Sequence, residues 1–232
     1  MKEKLKPLSN LDEYFSNNEI CGKKMHLLEM GTVNFPTGEI IVRDPLVYLT
    51  RDANPYFIKA PTGIFPLLCA VVEVEENHYR YAAVKVSFNG NNKAAYYVEA
   101  LVGNENLDEL KDGEYFGFGV DAGLGTIVDV ETKNAYYNFI EKWEQEHPDK
   151  EIYDDFFAEE FKKSYEKNPQ YQRKDGDWIN FLIPDTNLTI PMFQSGWGDG
   201  AYPMYFGYDK DNKVCEVVIQ FIDIKLVFSK KE

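Results

Sequence analysis

Between Gln194 and Asp209 the chain reads QSGWGDGAYPMYFGYD, with glycine at 196, 198 and 200 and Ser195, Trp197 and Asp199 at the alternate positions. In an extended backbone, a period of two puts those three side chains on one face and leaves the other bare. A bare face lets a second backbone or a flat ligand approach closely. A similar stretch runs from Tyr115 to Val130, where Gly117, Gly119, Asp121, Gly123 and Gly125 share one parity and Phe118, Val120, Ala122 and Leu124 the other. Two distant segments thus each set an acidic residue among alternate glycines, and they are expected to meet. Around that meeting point a pocket is expected, with Asp121, Asp129 and Asp199 as its carboxylates and Ser195 and Trp197 as its walls. The competing expectation is a glycine-rich bend beside a strand, locked by Trp197 in the core, with the aspartates accepting hydrogen bonds from turn amides.

Clustered carboxylates can bind a hard cation or work as an acid/base pair, but this spacing demands neither, so no catalytic residue and no metal ligand is assigned. No cofactor is expected. Gly117-x-Gly119-x-x-Ala122 is a loosened dinucleotide fingerprint without the strand–turn–helix context it requires. The run from Asp209 to Lys213 has calcium-loop spacing at its start, then lacks the glycine at the sixth position and carries Gln220 where a bidentate Glu belongs; it reads as a hairpin turn. His26, His78 and His147 are too scattered for a zinc-protease helix, and neither a P-loop nor a nucleophile elbow is present.

The chain has 232 residues and is read as one domain, residues 1–232. Its 16 Tyr and 16 Phe favour strands, where flat side chains pack across a pleated surface. The formal net charge is −14, from 39 acidic and 25 basic residues. Such a field repels polyanions, so neither nucleic acid nor an anionic membrane is an expected partner. It either serves solubility or forms an acidic face that steers a basic protein partner. Cys21, Cys69 and Cys215 contain no C-x-x-C pair, and Cys69 and Cys215 lie in apolar runs that suit buried thiols. No apolar segment follows the charged start MKEKLKPLSNLDEYF as in a signal peptide, and the longest apolar run, Ile64–Val72, is too short to span a bilayer. A reducing cytoplasm is the expected compartment.

Taken in order, residues 1–20 read as a short helical lead-in capped by Asn10 with Glu13 reaching back. Pro36-Thr37-Gly38 reads as a hairpin turn between Thr32–Phe35 and Glu39–Val42, closed by Asp44-Pro45, and residues 50–62 as loop. A second hairpin joins Phe65–Val74 to Tyr79–Phe88, with a turn at Asn89–Asn92; residues 94–102 fit helix or strand. Tyr136, Phe139, Ile140 and Trp143 have helical spacing, Pro148 ends that helix, and Phe157, Phe161 and Tyr165 continue in a second one capped by Asp154. These make a helical hairpin over about 132–168. Trp178–Ile183, Leu188–Phe193, Tyr202–Tyr208 and Val214–Val227 read as strands.

Three blocks, GTVNFPTGEIIVRDP (Gly31–Pro45), VDAGLGTIVD (Val120–Asp129) and SGWGDGAYPMYFGYD (Ser195–Asp209), resemble the signature blocks of the bacterial domain-of-unknown-function family 4241. The resemblance covers about Gly31 to Phe221, and its third block is the most specific. The turn after Tyr208, Asp-Lys-Asp-Asn, departs from it where a glycine is expected. The resemblance implies a fold unit and no established activity.

The expected fold is therefore α+β: mostly antiparallel sheet, sandwich-like or curled, with one helical hairpin packed on it. Two functions from different classes follow. One is a non-enzymatic binding protein whose acidic, aromatic-rich face holds a basic protein, as an immunity protein masks a toxin. The other is a hydrolase-like or metal-binding enzyme using Asp121, Asp129 and Asp199. Oligomeric state is not legible.

Overall fold

The computed structural model describes residues 5–88, 90 and 93–229. Its largest unit is a curled antiparallel sheet of seven strands. In chain order these are β1 (Glu19–Ile20), β2 (Lys23–Phe35), β4 (Gly63–Glu75), β5 (His78–Ser87), β6 (Tyr96–Glu99), β12 (Met204–Tyr208) and β13 (Val214–Gln220). Across the sheet they lie β1-β2-β4-β5-β13-β12-β6. A second antiparallel sheet has the order β3-β8-β10-β9, built from β3 (Ile40–Arg43), β8 (Leu124–Asp129), β9 (Trp178–Leu182) and β10 (Thr189–Gln194). Over it lie α2 (Val130–Glu146) and α3 (Ala158–Lys167), the latter entered through a π-helical turn, Tyr153–Phe157.

The second sheet is a middle layer, and its alternating residues feed two cores. Ile40, Val42, Ile127 and Phe193 belong to the core under the large sheet. Their neighbours Ile41, Val128 and Met192 belong to the core under the helices, with Tyr136, Phe157 and Phe161. Such a strand has no wet face, which is why all six residues of β8 are buried. The helical hairpin matches the sequence pattern, since Tyr136 and Trp143 are buried on α2 and Phe161 on α3. Its second arm starts differently: Glu151, rather than Asp154, caps it, its carboxylate accepting from the amides of Tyr153 (2.8 Å) and Asp154 (3.1 Å).

Both long hairpins follow their turn chemistry. β4 pairs with β5 around Asn77, whose φ is +59°, and β9 pairs with β10 across Pro184–Asn187. Residues 94–102, open between helix and strand, supply β6. The lead-in helix is shorter than expected, α1 (Asp12–Ser16), with Asn10 Oδ1 accepting from the Asp12 amide at 3.2 Å.

Three further expectations are corrected. Pro36-Thr37-Gly38 does not close a hairpin, because β2 pairs with β4 and β3 with β8, so the chain crosses there from one sheet to the other. The run Val214–Val227 is not one strand: β13 ends at Gln220, and Asp223 caps α4 (Ile224–Phe228), its Oδ1 accepting from the Leu226 amide at 3.0 Å. The segment Tyr202–Tyr208 breaks at Pro203, which separates β11 (Gly200–Tyr202) from β12. In the expected turn at Asn89–Asn92, residues 89, 91 and 92 lie outside the described residues. Among the described residues, no helix is long and apolar enough to cross a membrane.

Candidate functional site

The two glycine runs meet. β11 pairs antiparallel with β7 (Phe118–Val120), with Gly200 opposite Val120 and Ala201 opposite Gly119. Just before this ladder the chain turns rather than extends, since Gly196 and Gly198 have φ of +61° and +103°. The alternation therefore does not place Ser195, Trp197 and Asp199 on one face of a strand. Gly196 is required twice over: its backbone is left-handed, and an added Cβ would lie 2.9 Å from Cβ of Phe221.

Hydrogen bonds fix the turn. Ser195 is buried; its amide donates to the Gly123 carbonyl (3.1 Å) and its hydroxyl to the Gly198 carbonyl (2.8 Å). The Tyr202 hydroxyl donates to that same carbonyl at 2.7 Å. Asp199 is exposed, and its Oδ1 accepts from the Gly123 amide at 3.0 Å. Asp121 is exposed too, and its own amide donates to Asp44 Oδ2 at 3.0 Å.

Asp129 lies elsewhere. It is fully buried at the start of α2, where it accepts from the amides of Thr37 (3.0 Å), Gly38 (2.9 Å) and Glu131 (3.0 Å) and from the Thr37 hydroxyl (2.9 Å). Its carboxylate pins the crossover between the sheets and caps the helix, and Asp129 lines neither recess beside Trp197. The five expected residues thus do not line one cleft: Ser195, Trp197 and Asp199 sit in one turn beside Asp121, and Asp129 belongs to a structural joint. Among the described residues, no group of three or more His, Cys, Asp or Glu is arranged to hold a metal ion.

Sequence reasoning missed Asp44 as an organiser. Its fully buried carboxylate accepts four amides, those of Leu46 (2.9 Å), Val47 (3.2 Å), Asp121 (3.0 Å) and Ala122 (2.7 Å). The local half of that set was a findable signal, because an Asp ahead of Pro-x-x accepts from the turn it opens.

Trp197, expected either in the core or as a pocket wall, is 50% exposed. The guanidinium of Arg80 lies 5.7 Å from its ring centroid. Trp197 lines a groove of about 380 Å³ with Leu8, Tyr115, Leu226 and Val227, all of them exposed. Tyr115 is anchored there by its hydroxyl, which donates to the Ala201 carbonyl at 2.9 Å. Asp112, Glu114 and Asp223 stand on the rim with Lys6, which leaves the groove acidic. Behind it, Glu99 is buried on β6 and accepts from the amides of Phe116 and Gly117, each at 2.8 Å. Burial pushes its carboxyl up to about 7, against the pull of those two amides, with the Glu105 charge adding to the rise.

No curated protein and no solved structure matches the sequence. A family model described as Protein of unknown function (DUF4241) matches residues 33–219, which hold the greater part of each of the three sequence blocks and both glycine runs. The chain therefore belongs to the DUF4241 family.

Proposed function

We propose that this protein is a non-enzymatic binding protein whose groove beside Trp197 takes an apolar side chain of a basic protein partner, in the manner of an immunity protein that masks its target. One observation carries the reading: Leu8, Tyr115, Trp197, Leu226 and Val227 are all exposed, and they gather around one concavity under Asp112, Glu114 and Asp223. Apolar side chains scattered singly over a surface need no explanation, whereas a contiguous patch rimmed by charge has the composition of an interface core. A groove of about 380 Å³ suits one or two anchor side chains, around which a partner of standard interface size would close. The rim carboxylates and the net charge of −14 favour Lys and Arg flanking that anchor. Free thiols at Cys21, Cys69 and Cys215 fit a reducing cytoplasm.

The test is affinity capture from extract of the source cell at low and high salt, with the wild type, Trp197→Ala and Leu226→Asp side by side. The reading expects a protein of basic pI held at low salt, weakened at high salt and lost from both variants. A retained set that is unchanged in the variants, or no retained protein at either salt, counts against it.

A further inference from the structure

Trp197 also lines a second recess, of about 360 Å³, whose chemistry is different. Its polar walls are Arg80, Arg173, Tyr153, Gln194 and Asp175. We propose that this recess is a binding site for a small organic anion, with the carboxylate or phosphate-monoester group of that molecule held between the guanidinium groups of Arg80 and Arg173.

The donor inventory supports this. A guanidinium offers five N–H donors in a fixed fork that matches the oxygens of a carboxylate or phosphate. Arg80 uses one of them, weakly, on its neighbour's carbonyl (Tyr79, 3.3 Å), and among the described residues it has no carboxylate within 4.0 Å. The guanidinium lies over the Trp197 ring, 5.7 Å from its centroid, a contact that occupies none of its N–H donors. Arg173 is positioned by Asp177, whose Oδ1 accepts from Nε at 2.7 Å and lies 2.7 Å from one terminal nitrogen in an ion pair. Its other terminal nitrogen has no protein acceptor among the described residues.

Electrostatics agree. Burial, and after it the charge of Arg173, holds the Arg80 pKa below its ordinary value, and Asp177 offsets only part of this. Two guanidinium groups lining one recess repel each other, and a bound oxyanion would relieve that repulsion. Asp177 is paired with Arg173 and Asp175 is exposed, so the guanidinium without a carboxylate partner among the described residues is that of Arg80, which suits one anionic group. The recess is larger than one oxyanion, and the half-exposed rings of Tyr153 and Trp197 offer surface to an organic remainder.

Inorganic phosphate and acetate are the probes, each titrated at ionic strength held constant with sodium chloride, with melting temperature and tryptophan fluorescence as readouts. The wild type is expected to respond saturably to at least one of them. Arg80→Gln is expected to weaken that response by about tenfold or more, and Arg80→Lys, which keeps the charge and loses the fork, by less. Should Arg80→Gln fail to fold, Arg173→Gln supplies the same comparison. The absence of a saturable response to either anion, or equal responses from the wild type and the Gln variants, overturns the proposal. Leu226→Asp, outside this recess, should leave the anion response intact, so failure of the docking reading and failure of this one are separable.

Discussion

Asp129→Ala tests whether the carboxylate beside the second glycine run serves architecture. In the folded chain this side chain is fully buried and accepts three backbone amides, those of Thr37, Gly38 and Glu131, together with the Thr37 hydroxyl. Hydrogen bonds to a charged acceptor contribute about 1.5–3 kcal/mol each, and a stranded buried donor costs about 1–3 kcal/mol. The Gly38 amide is buried and cannot recover water, while those of Thr37 and Glu131 are partly accessible and can. The bond from the Glu131 amide is the helix cap and accounts for about 1 kcal/mol of the total. Allowing for non-additivity among bonds to one group, the expected loss is about 3–5 kcal/mol, or a melting temperature lower by about 10 °C in a chain of this size. Urea unfolding followed by circular dichroism reads it as a lower midpoint at unchanged slope. Asp129→Asn, which keeps the shape and one acceptor oxygen, should fall between. Asp121→Ala, at an exposed side chain, should stay within about 0.5 kcal/mol. A loss below about 1 kcal/mol for Asp129→Ala, or one equal to that of Asp121→Ala, refutes the structural assignment.

Three further predictions follow from the same geometry. Gly117→Ala should cost more than about 2 kcal/mol, because φ is +64° and the new Cβ would lie 2.8 Å from the Tyr202 carbonyl oxygen; Gly198→Ala, with φ +103° and open space around it, should cost less, and thermal melts give the order. Glu99 binds its proton more tightly folded than unfolded, with a pKa near 7 against an ordinary value of 4.5, so its contribution to stability is full below about 4.5 and is lost as pH rises to about 7. Glu99→Gln should flatten the slope of unfolding free energy over that window, and an unchanged slope would contradict the assignment. Cys69 and Cys215 are buried, with the Cys215 thiol pushed up to about 11 by burial, whereas Cys21 is exposed; a thiol reagent should therefore modify Cys21 alone in the native protein and all three cysteines in denaturant.

What the sequence made legible was what neighbours along the chain decide. The β4–β5 and β9–β10 hairpins were readable because two apolar runs flank a polar turn, and α2 because Tyr136, Phe139, Ile140 and Trp143 repeat at helical spacing. The Pro36-Thr37-Gly38 crossover was misread because a turn motif sets a change of direction and says nothing about pairing. Its outcome was set by Asp129, about ninety residues downstream. The same limit hid the distant half of the Asp44 hydrogen bonds, the amides of Asp121 and Ala122. Glycine alternation correctly foretold that the two runs approach each other, yet it misled on conformation, because positive φ at 196 and 198 makes a turn and swings Trp197 outward. Burial of Trp197 could not be read from composition, since a tryptophan among glycines suits a core and a docking surface equally.

Selection of a random peptide library on the purified protein asks most directly whether the groove recognises an apolar anchor among cations. Enrichment of an aromatic or aliphatic residue flanked by Lys or Arg is expected, with binding weakened by salt and abolished by Trp197→Ala in a variant that melts like the wild type. Enriched peptides that are acidic, or that bind Trp197→Ala as well as the wild type, would contradict it, as would the absence of any enrichment.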